Sequence, residues 1–509
     1  MLQSLFQSMS QRGQRAAPQE PAGASRQSFW ARMANSRRNH DDDRSRSPRR
    51  LPAAGSHIVT QISDVKDTFL LPKHIVGSMA SHYGEDRVKQ ALMKLKTGSL
   101  TTSFTGCGVA EATIEALAKT QGVDVNLGHA LDWDSSCQSV IRCRWPSRCC
   151  FGDIKDLVKG LKEGKGKRPP SCSSLAEKAH CYTHQRMCSC QSVTTGGLDV
   201  ELAGPVCPPW SAFGKGKGTD DPRYESHEAF RVAESVFCFV SKFQGVGSFF
   251  LVPLHDGRMG PGKAWLAKVR RTAPHVLIFE NVERYPEELI MGSLGDMYEI
   301  SKATLNPPEV FSIPMARPRQ YYLLYNKHKT KWVGPAEVGP PLCCSWLECV
   351  QPCMIQKPAS LSPLIYTADP DSESTRKMTP SESKHLKQYQ AMVKNKELRS
   401  NVTVFDLRQS SGRPVTSLSD GSLPTLRTTS NSLYFPKKRQ FLSGMQLLRA
   451  QGWPIHESDS AELGLDHIKW PSHLSNAQNV EMAGNAMFGP CAALAVLTAL
   501  MFVERKELS

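Results

Sequence analysis

The sequence predicts an α/β protein with a mostly parallel sheet covered by helices on both faces. Short β-rich runs alternate with helical stretches from about residue 98 onward, which is the pattern of βαβ units. Several of these runs hold consecutive apolar residues, such as VLIF in PHVLIF, as expected of strands buried on both faces. Apolar residues make up 40% and charged residues 22% of the 509-residue chain, which is typical of a packed globular protein.

The order of the elements supports this fold. We predict the first strand in SLTTSF, a turn in GCG and an amphipathic helix in VAEATIEALAKT. Further buried strands are predicted in VDVNLGHALDW, LDVELAG, PHVLIF and QYYLLY. Two late helices are predicted in FLSGMQLLRAQGW and GPCAALAVLTALMFV, the second apolar nearly all round and therefore buried. Ligands of such sheets bind beyond the carboxyl ends of the strands.

Composition divides the chain into five segments. Residues 1–56 are rich in Arg, Ser, Gln and Pro without apolar periodicity, so we predict a disordered basic tail. Residues 57–97 are predicted to be a helical N-terminal extension, and 98–326 the main α/β domain. Turn-forming and charged residues replace the alternation over 327–435, which predicts a smaller unit, and 436–509 return to the main domain.

The net charge of +15 predicts a polyanionic partner. The first 50 residues hold ten Arg and four acids, so the remainder of the chain still carries +9. This distribution favours nucleic acid over a membrane surface. The cluster RSRSPRR is compatible with a nuclear address, and an organellar transit peptide is the lesser alternative. The longest clean apolar run is too short to span a bilayer, so no transmembrane helix is predicted.

The sixteen Cys are predicted to be reduced thiols rather than a disulfide framework. One local group has side chains of the kinds that ligate zinc: Cys172, His180, Cys181, His184, Cys188 and Cys190. Because this group lacks a paired C-x-x-C, we favour a loop insertion with free thiols and predict no metal site.

Residues that follow three successive predicted strands predict a pocket for an adenosine-bearing cofactor. Gly106 and Gly108 lie where the backbone approaches a ligand at a helix start, although a tight strand-to-helix turn is the alternative. Asp132 ends the next strand, where a carboxylate binds ribose hydroxyls. Trp133 beside it would cover an adenine face, and Asp153 follows the third strand.

A cysteine in the proline-rich turn GPVCPPWS is a candidate nucleophile. Cys207 follows a predicted strand, and Lys215 and Lys217 come soon after it. Positive surroundings promote the thiolate form that a nucleophile requires. A buried structural cysteine is the alternative, although such residues usually lie within an element.

Charged side chains are predicted on the same rim of the sheet. Glu280 lies at the carboxyl end of the strand PHVLIF, which makes it a site candidate rather than an ordinary surface acid. Arg317 and Arg319 precede the strand QYYLLY and add fixed positive charge, with surface arginines as the alternative interpretation.

Taken in order, these segments resemble the cytosine C5 methyltransferases that use S-adenosylmethionine, over about residues 98–505. Eight segments resemble that family's motifs in the family's order: FTGCG, LDWD, FGDI, GPVCPPWS, FENV, RPR, QLLRAQGWP and AGNAMFGP. The resemblance implies a Rossmann-like S-adenosylmethionine-dependent methyltransferase sheet, with 98–326 as the catalytic domain and 327–435 as a target-recognition domain. In this family TLRTT, residues 425–429, would end the recognition segment.

The resemblance also assigns roles to single residues. Cys207 would attack C6 of a cytosine, Glu280 would hydrogen-bond N3 and the exocyclic amine, and Arg317 would contact O2, with Arg319 in the same catalytic set. The cofactor would be S-adenosyl-L-methionine, held by Phe104, Gly106, Gly108, Asp132, Trp133, Asp153 and Asn485. Nucleic acid would be contacted by Ser211, Lys215, Lys217, Arg223, Thr425 and Thr428.

Three departures separate the chain from the family pattern. Val109 stands where a further glycine is usual, Met315 replaces the usual glutamine, and residues 154–200 form an unusually long connection. The function implied is a DNA (cytosine-5)-methyltransferase that acts as a monomer on double-stranded DNA in the nucleus. One alternative is methylation of cytosine in tRNA, whose enzymes carry a late Cys-Phe-Thr motif that this chain lacks. Another is an inactive nucleic-acid-binding homologue.

Overall fold

The structure of the protein is a computed structural model. This structure describes residues 67–162, 169–191, 196–205, 261–285, 287–335, 346–355, 376–395, 404–409, 423–436 and 438–507. Several residues singled out from the sequence lie outside this part of the chain: Cys207, Ser211, Lys215, Lys217 and Arg223. The segment predicted to be a disordered tail lies outside it as well.

A nine-stranded sheet forms the centre of the described structure. Its strands are β1 (Ser99–Ser103), β2 (Leu127–Leu131), β3 (Cys150–Phe151), β6 (Lys178–Cys181), β7 (Arg186–Ser189), β8 (Asp199–Ala203), β9 (Val276–Asn281), β10 (Tyr298–Leu305) and β11 (Arg319–Asn326). Their order across the sheet is β10-β11-β9-β8-β1-β2-β3-β6-β7. A separate short pair, β4 (Val158–Lys159) and β5 (Ser174–Leu175), lies in the long connection after β3.

The pairing confirms the predicted fold class. Strands β3, β2, β1, β8 and β9 are parallel neighbours, β11 runs antiparallel between β9 and β10, and the β6–β7 hairpin extends the other edge. The chain leaves β1 for β2 on one side and returns to β8 on the other. The β1–β8 junction is therefore a topological switch point, where α/β sheets bind their ligands.

Helices cover both faces of the sheet. Up to β11 they are α1 (Leu71–Tyr83), α2 (Glu85–Thr97), α3 (Val109–Lys119), α4 (Ser135–Arg144), α5 (Pro261–Thr272), α6 (Glu287–Leu294) and α7 (Pro307–Phe311). After β11 they are α8 (Pro380–Lys394), α9 (Gly444–Ala450), α10 (Glu457–Glu462), α11 (Asn476–Asn485) and α12 (Gly489–Phe502). Helices α1 to α4 and α12 share one apolar core with the sheet, and α5 and α6 share the other.

The strands alternate between these two cores, as a sheet buried on both faces must. In β9, Val276 and Ile278 pack in the core of α1 and α12, whereas Leu277 and Phe279 pack in the core of α5. This is why VLIF, residues 276–279, is apolar at every position rather than at every second one.

A small three-stranded sheet lies apart from the central one. Its strands are β13 (Phe405–Asp406), β14 (Leu433–Phe435) and β15 (Gln440–Phe441). With α8 they enclose a separate apolar cluster that includes Tyr389 stacked on Phe405 at 5.1 Å. This cluster lies mostly within the segment predicted to be a smaller unit, and the division of the chain into domains stays a prediction.

Some elements near residues 327 and 435 contact segments on the other side of these predicted boundaries. Strand β12 (Thr330–Trp332) pairs with β16 (Val503–Arg505), and a 3-10 helix at Trp346–Cys353 packs in the core with α1. Both belong to the main body although they follow residue 327. In contrast, β15 lies beyond residue 435 and pairs within the small sheet.

Helix α12 is the centre of its core, as its uniform apolarity predicted. All fourteen of its residues are buried. The segment Asn476–Phe502 is long and apolar enough to cross a membrane by composition, but 94% of its most apolar window is buried inside the protein. Packing against the sheet and α3 accounts for that apolarity.

Candidate functional site

The carboxyl ends of four parallel neighbours, β2, β1, β8 and β9, meet at one edge of the sheet. Asp132, Phe104 and Gly204 directly follow β2, β1 and β8, and Glu280 is the last residue but one of β9. They lie in that order across the sheet. Side chains far apart in the sequence therefore lie along a single rim.

The turn after β1 has a left-handed backbone at three positions. Phe104, Gly106 and Gly108 have φ values of +57°, +62° and +90°. A methyl group at Gly108 would lie 2.6 Å from the Trp145 ring, so packing alone explains that glycine. At Gly106, which is buried, the nearest atom to an added methyl group would be Ala486 Cα at 4.0 Å. Of the two glycines, only Gly108 is therefore explained by close packing.

Asp132 is joined directly to this turn. Its Oδ2 accepts from the Gly106 amide at 2.7 Å, and its Oδ1 accepts from the Asp134 amide at 3.0 Å. Two of about four acceptor positions on the carboxylate therefore remain for a ligand. Burial raises the pKa of Asp132 to about 7, with the two amide hydrogen bonds acting in the opposite direction.

Trp133 follows with an indole that is 73% exposed. Few large apolar side chains in the described part of the chain are exposed at all, and this one lies next to the buried carboxylate. An exposed indole beside an acceptor group fits the face and the ribose of an adenosine.

The other predicted cofactor residues lie around the same turn. The Asp153 side chain is 46% exposed, and its Oδ1 accepts from the Lys155 amide at 3.0 Å. Asn485 is exposed at the end of α11, one residue before Ala486, which faces Gly106. The Phe104 ring packs edge-on to Trp265 with centroids 6.4 Å apart. The described residues therefore fit an adenosine-bearing group at this edge.

Glu280 is buried at the end of β9, beside the first residues after β8. Its Oε1 lies 3.2 Å from Arg319 Nε, which is an ion-pair distance. The same oxygen accepts no hydrogen bond from the described residues. A methyl group at Gly204 would lie 3.4 Å from its Oε2, and Asn281 Nδ2 donates to the Pro205 carbonyl at 3.4 Å. Glu280 thus adjoins the segment that leads, two residues after Pro205, to Cys207.

The two arginines of the RPR segment have different surroundings. Arg317 is 4% exposed, and its guanidinium donates to the carbonyls of Leu426 at 3.2 Å, Gly484 at 3.4 Å and Ala486. Arg319 Nε lies 3.2 Å from Glu280 Oε1. Which of the two arginines contacts a base stays a prediction.

The TLRTT segment contacts two other motif-like segments. Thr425 Oγ1 donates to the Ala316 carbonyl at 2.5 Å, which joins the segment to RPR. A methyl group at Gly484 would lie 2.1 Å from the Arg427 carbonyl carbon and 2.2 Å from the Thr428 nitrogen, so the backbones are in contact there. Thr428 itself is exposed. The structure thus gives Thr425 a structural hydrogen bond and leaves Thr428 accessible.

Sequence reasoning missed one polar residue of this rim. Asn281 directly follows Glu280 and holds the Pro205 carbonyl, while its Oδ1 accepts from the Val282 amide at 2.9 Å. The available signal was an amide within a buried run, because a buried amide requires hydrogen-bond partners.

Comparisons with known proteins returned structural likenesses only. No family model matches the chain, and no curated protein matches it. Among solved structures, a Dnmt2 methyltransferase of S. pombe is 11% identical, with a TM-score of 0.39, covering 79% of this chain and 98% of its own.

Two further solved structures have similar values. A putative DNA modification methyltransferase encoded within an E. coli prophage is 14% identical, with a TM-score of 0.40, covering 79% of this chain and 98% of its own. The Entamoeba histolytica methyltransferase EhMeth is 11% identical, with a TM-score of 0.38, and the match covers 80% of this chain and 98% of that structure's chain. Identities and scores of this size do not bear on activity or substrate.

Met315 is buried, and this determines what its replacement would do. It is 1% exposed in the core with Leu423, whose amide donates to the Pro314 carbonyl at 2.6 Å. We predict that Met315→Gln lowers the free energy of unfolding by about 1 to 3 kcal/mol, because it buries an amide among apolar side chains. Met315→Leu, the matched control, should cost less than about 1.5 kcal/mol. Urea denaturation measures both, and equal stability of the two variants would contradict the prediction.

Proposed function

We propose that this chain is an S-adenosylmethionine-dependent DNA (cytosine-5)-methyltransferase. One observation carries the proposal: the buried Glu280 has an oxygen without a hydrogen-bond partner among the described residues, beside Arg319 and the segment that leads to Cys207. The ion pair with Arg319 at 3.2 Å offsets part of the cost of burying this carboxylate, and a ligand that donates to the oxygen would supply the hydrogen bond it lacks. The exocyclic amine of cytosine is a donor of that kind, and N3, an acceptor in the neutral base, would bond to Glu280 through a proton held between them. The order of the eight motif-like segments gives independent support.

The residues around the first turn would hold the cofactor. Asp132 would accept from the ribose hydroxyls, Trp133 would cover the adenine, and the Gly106 backbone would approach the ligand closely. Asp153 and Asn485 would border the same pocket. S-Adenosylmethionine, when bound, supplies an electrophilic methyl group on its sulfonium.

The chain's own residues would activate the cytosine. The Cys207 thiolate would form a bond to C6, and the electron pair of the C5–C6 double bond would move into the ring and make C5 nucleophilic. Glu280 would hydrogen-bond N3 and the exocyclic amine, and Arg319 would donate to O2, so both stabilise charge that develops on the ring. After methylation, loss of the C5 proton restores the double bond and expels the Cys207 sulfur.

The substrate would be DNA with the target base flipped out, because C5 is shielded within the stack. Lys215, Lys217 and Arg223 would contact phosphates, as would other parts of this basic chain. Ser211, Thr425 and Thr428 would complete the nucleic-acid contacts. Binding should therefore weaken steeply with salt.

Methyl transfer tests the proposal directly. We expect label from radiolabelled S-adenosylmethionine to enter genomic DNA, and an oligonucleotide with 5-fluorocytosine to trap the enzyme covalently, because fluorine cannot leave as a proton does. Cys207→Ala should form no adduct. Label in RNA alone would overturn the DNA substrate, and an adduct with Cys207→Ala would exclude this nucleophile. Label in neither, with cofactor binding intact, would favour an inactive homologue.

The Glu280 oxygen that has no hydrogen bond among the described residues gives a second prediction. Glu280→Gln should lower single-turnover methyl transfer by about 100- to 1000-fold, the usual effect of losing one charge-stabilising group, with cofactor affinity unchanged. Glu283→Gln is a matched control, since Glu283 is exposed in the following turn. Equal rates for the two variants would remove Glu280 from the reaction.

Asp132 predicts how cofactor binding depends on pH. Its carboxyl group has a pKa of about 7, raised by burial, so the carboxylate that accepts ribose hydrogen bonds is lost as the pH falls through that value. Affinity for S-adenosylhomocysteine should decrease by up to about tenfold per pH unit below the pKa. Isothermal titration calorimetry measures this, and Asp132→Asn should bind weakly with a flat profile. A flat profile for the unaltered protein would contradict the assignment.

A further inference from the structure

Four side chains converge at the edge of the sheet away from the proposed reaction. The Sγ atoms of Cys149, Cys181 and Cys188 and a ring nitrogen of His184 all lie within 4.8 Å of one another. The His184 Nδ1 atom is 3.6 Å from the sulfur of Cys149 and 3.4 Å from each of the other two sulfurs. The set differs from the one considered from the sequence, since Cys149 enters it and Cys172, Cys190 and His180 stay outside.

Hydrogen bonding alone does not explain three sulfurs around one nitrogen. An imidazole nitrogen has either one proton or one lone pair, so it forms one good hydrogen bond. A tetrahedral zinc ion has sulfur ligands at about 2.3 Å and nitrogen ligands at about 2.0 Å, which places each sulfur about 3.6 Å from the nitrogen. The three distances match a shared central ion.

The local fold holds these ligands at fixed positions. Cys181 ends β6, Cys188 lies in β7, and His184 lies in the turn of that hairpin, where Gln185 has a φ of +53°. Cys149 precedes β3, whose Cys150 carbonyl accepts from the Tyr182 amide at 2.8 Å. Ligands from a hairpin and from the adjacent strand are thus brought together by backbone pairing rather than by flexible side chains.

We propose that Cys149, Cys181, His184 and Cys188 bind a structural zinc ion. Three thiolates and one imidazole form a closed tetrahedral set, which is typical of structural sites because no position remains for water or substrate. Soft sulfur ligands in this geometry favour zinc over magnesium, calcium or manganese. The thiols have to be reduced, and the cysteines of the described structure are free.

The site would fix the hairpin to the central sheet. Strand β3 has two residues and pairs with β6 only between Phe151 and Cys181, so backbone hydrogen bonds alone hold the hairpin weakly. A methyl group at Gly152 would lie 2.7 Å from the Tyr182 ring, so the hairpin packs on the residue before Asp153. Loss of the ion should therefore loosen the hairpin first.

Metal analysis of the purified full chain tests the proposal without relying on activity. We expect about one zinc per chain by mass spectrometry, and cobalt in its place should give the intense visible bands of a tetrahedral thiolate site. Cys181→Ser and Cys188→Ser should each lower the zinc content at least about tenfold, because each removes one of four ligands. Cys190→Ser and His180→Asn are matched controls from the same hairpin region and should retain zinc.

Two outcomes would overturn the site. One is a folded unaltered protein that holds no zinc and gives no tetrahedral cobalt spectrum. The other is zinc retained equally by the ligand variants and the controls. Cys188→His keeps four ligands and should therefore retain metal. This result would show that the serine variants lose zinc because a ligand is missing and not because they misfold. Hydrogen exchange of β6 and β7 should rise at least about tenfold on chelation, and an unchanged rate would exclude the structural role.

Discussion

The pairing of β1 with β8 fixes the geometry of the whole rim. Five successive pairs, from Ser99 with Asp199 to Ser103 with Ala203, join segments a hundred residues apart. Glu201 of β8 holds this register through buried polar contacts: Ser103 Oγ at 2.8 Å, Trp265 Nε1 at 2.9 Å and Lys268 Nζ at 2.9 Å from both oxygens. A slip of one residue would turn Glu201 to the other face without its ammonium partner, which is severely destabilising. The register therefore brings the cofactor turn and the segment before Cys207 side by side.

Arg317 makes a second long-range connection, from the sheet to the end of the chain. Its guanidinium donates to carbonyls in TLRTT and in AGNAMFGP, so one buried cation joins three segments. Arg319, two residues later, begins β11 and lies beside Glu280. The register of β11 with β9 pairs Tyr321 with Glu280, which places the start of β11 near the carboxylate. Thus one arginine of the segment holds the fold, and the other is left for the proposed chemistry.

The sequence was enough to predict strands that local apolar runs define, but not the contacts between residues far apart in the chain. The strands of the central sheet with continuous apolar runs were predictable because burial on both faces leaves no polar positions, as in β9. Strand β10 was missed, because YEISKATL mixes polar and apolar residues and its strand identity depends on pairing with β11. Motif order indicated Asp132 and Glu280, but only the fold shows that Arg319 lies beside Glu280. Likewise Cys149 joins His184 across 35 residues, a contact that spacing could not reveal.

The long connection after β3 has a physical role at the edge of the sheet. Strand β3 has only two residues and so offers little surface for pairing. The exposed β6–β7 hairpin extends the sheet beyond β3. Each backbone hydrogen bond contributes about 1 kcal/mol net, whereas a structural zinc contributes about 10 kcal/mol or more to folding. The proposed ion would therefore be the main stabilising contact of the hairpin, and the hairpin in turn packs Tyr182 on Gly152 beside Asp153. On this account the insertion would support the proposed cofactor side of the sheet, a role separate from the target recognition proposed for the segment that ends in TLRTT.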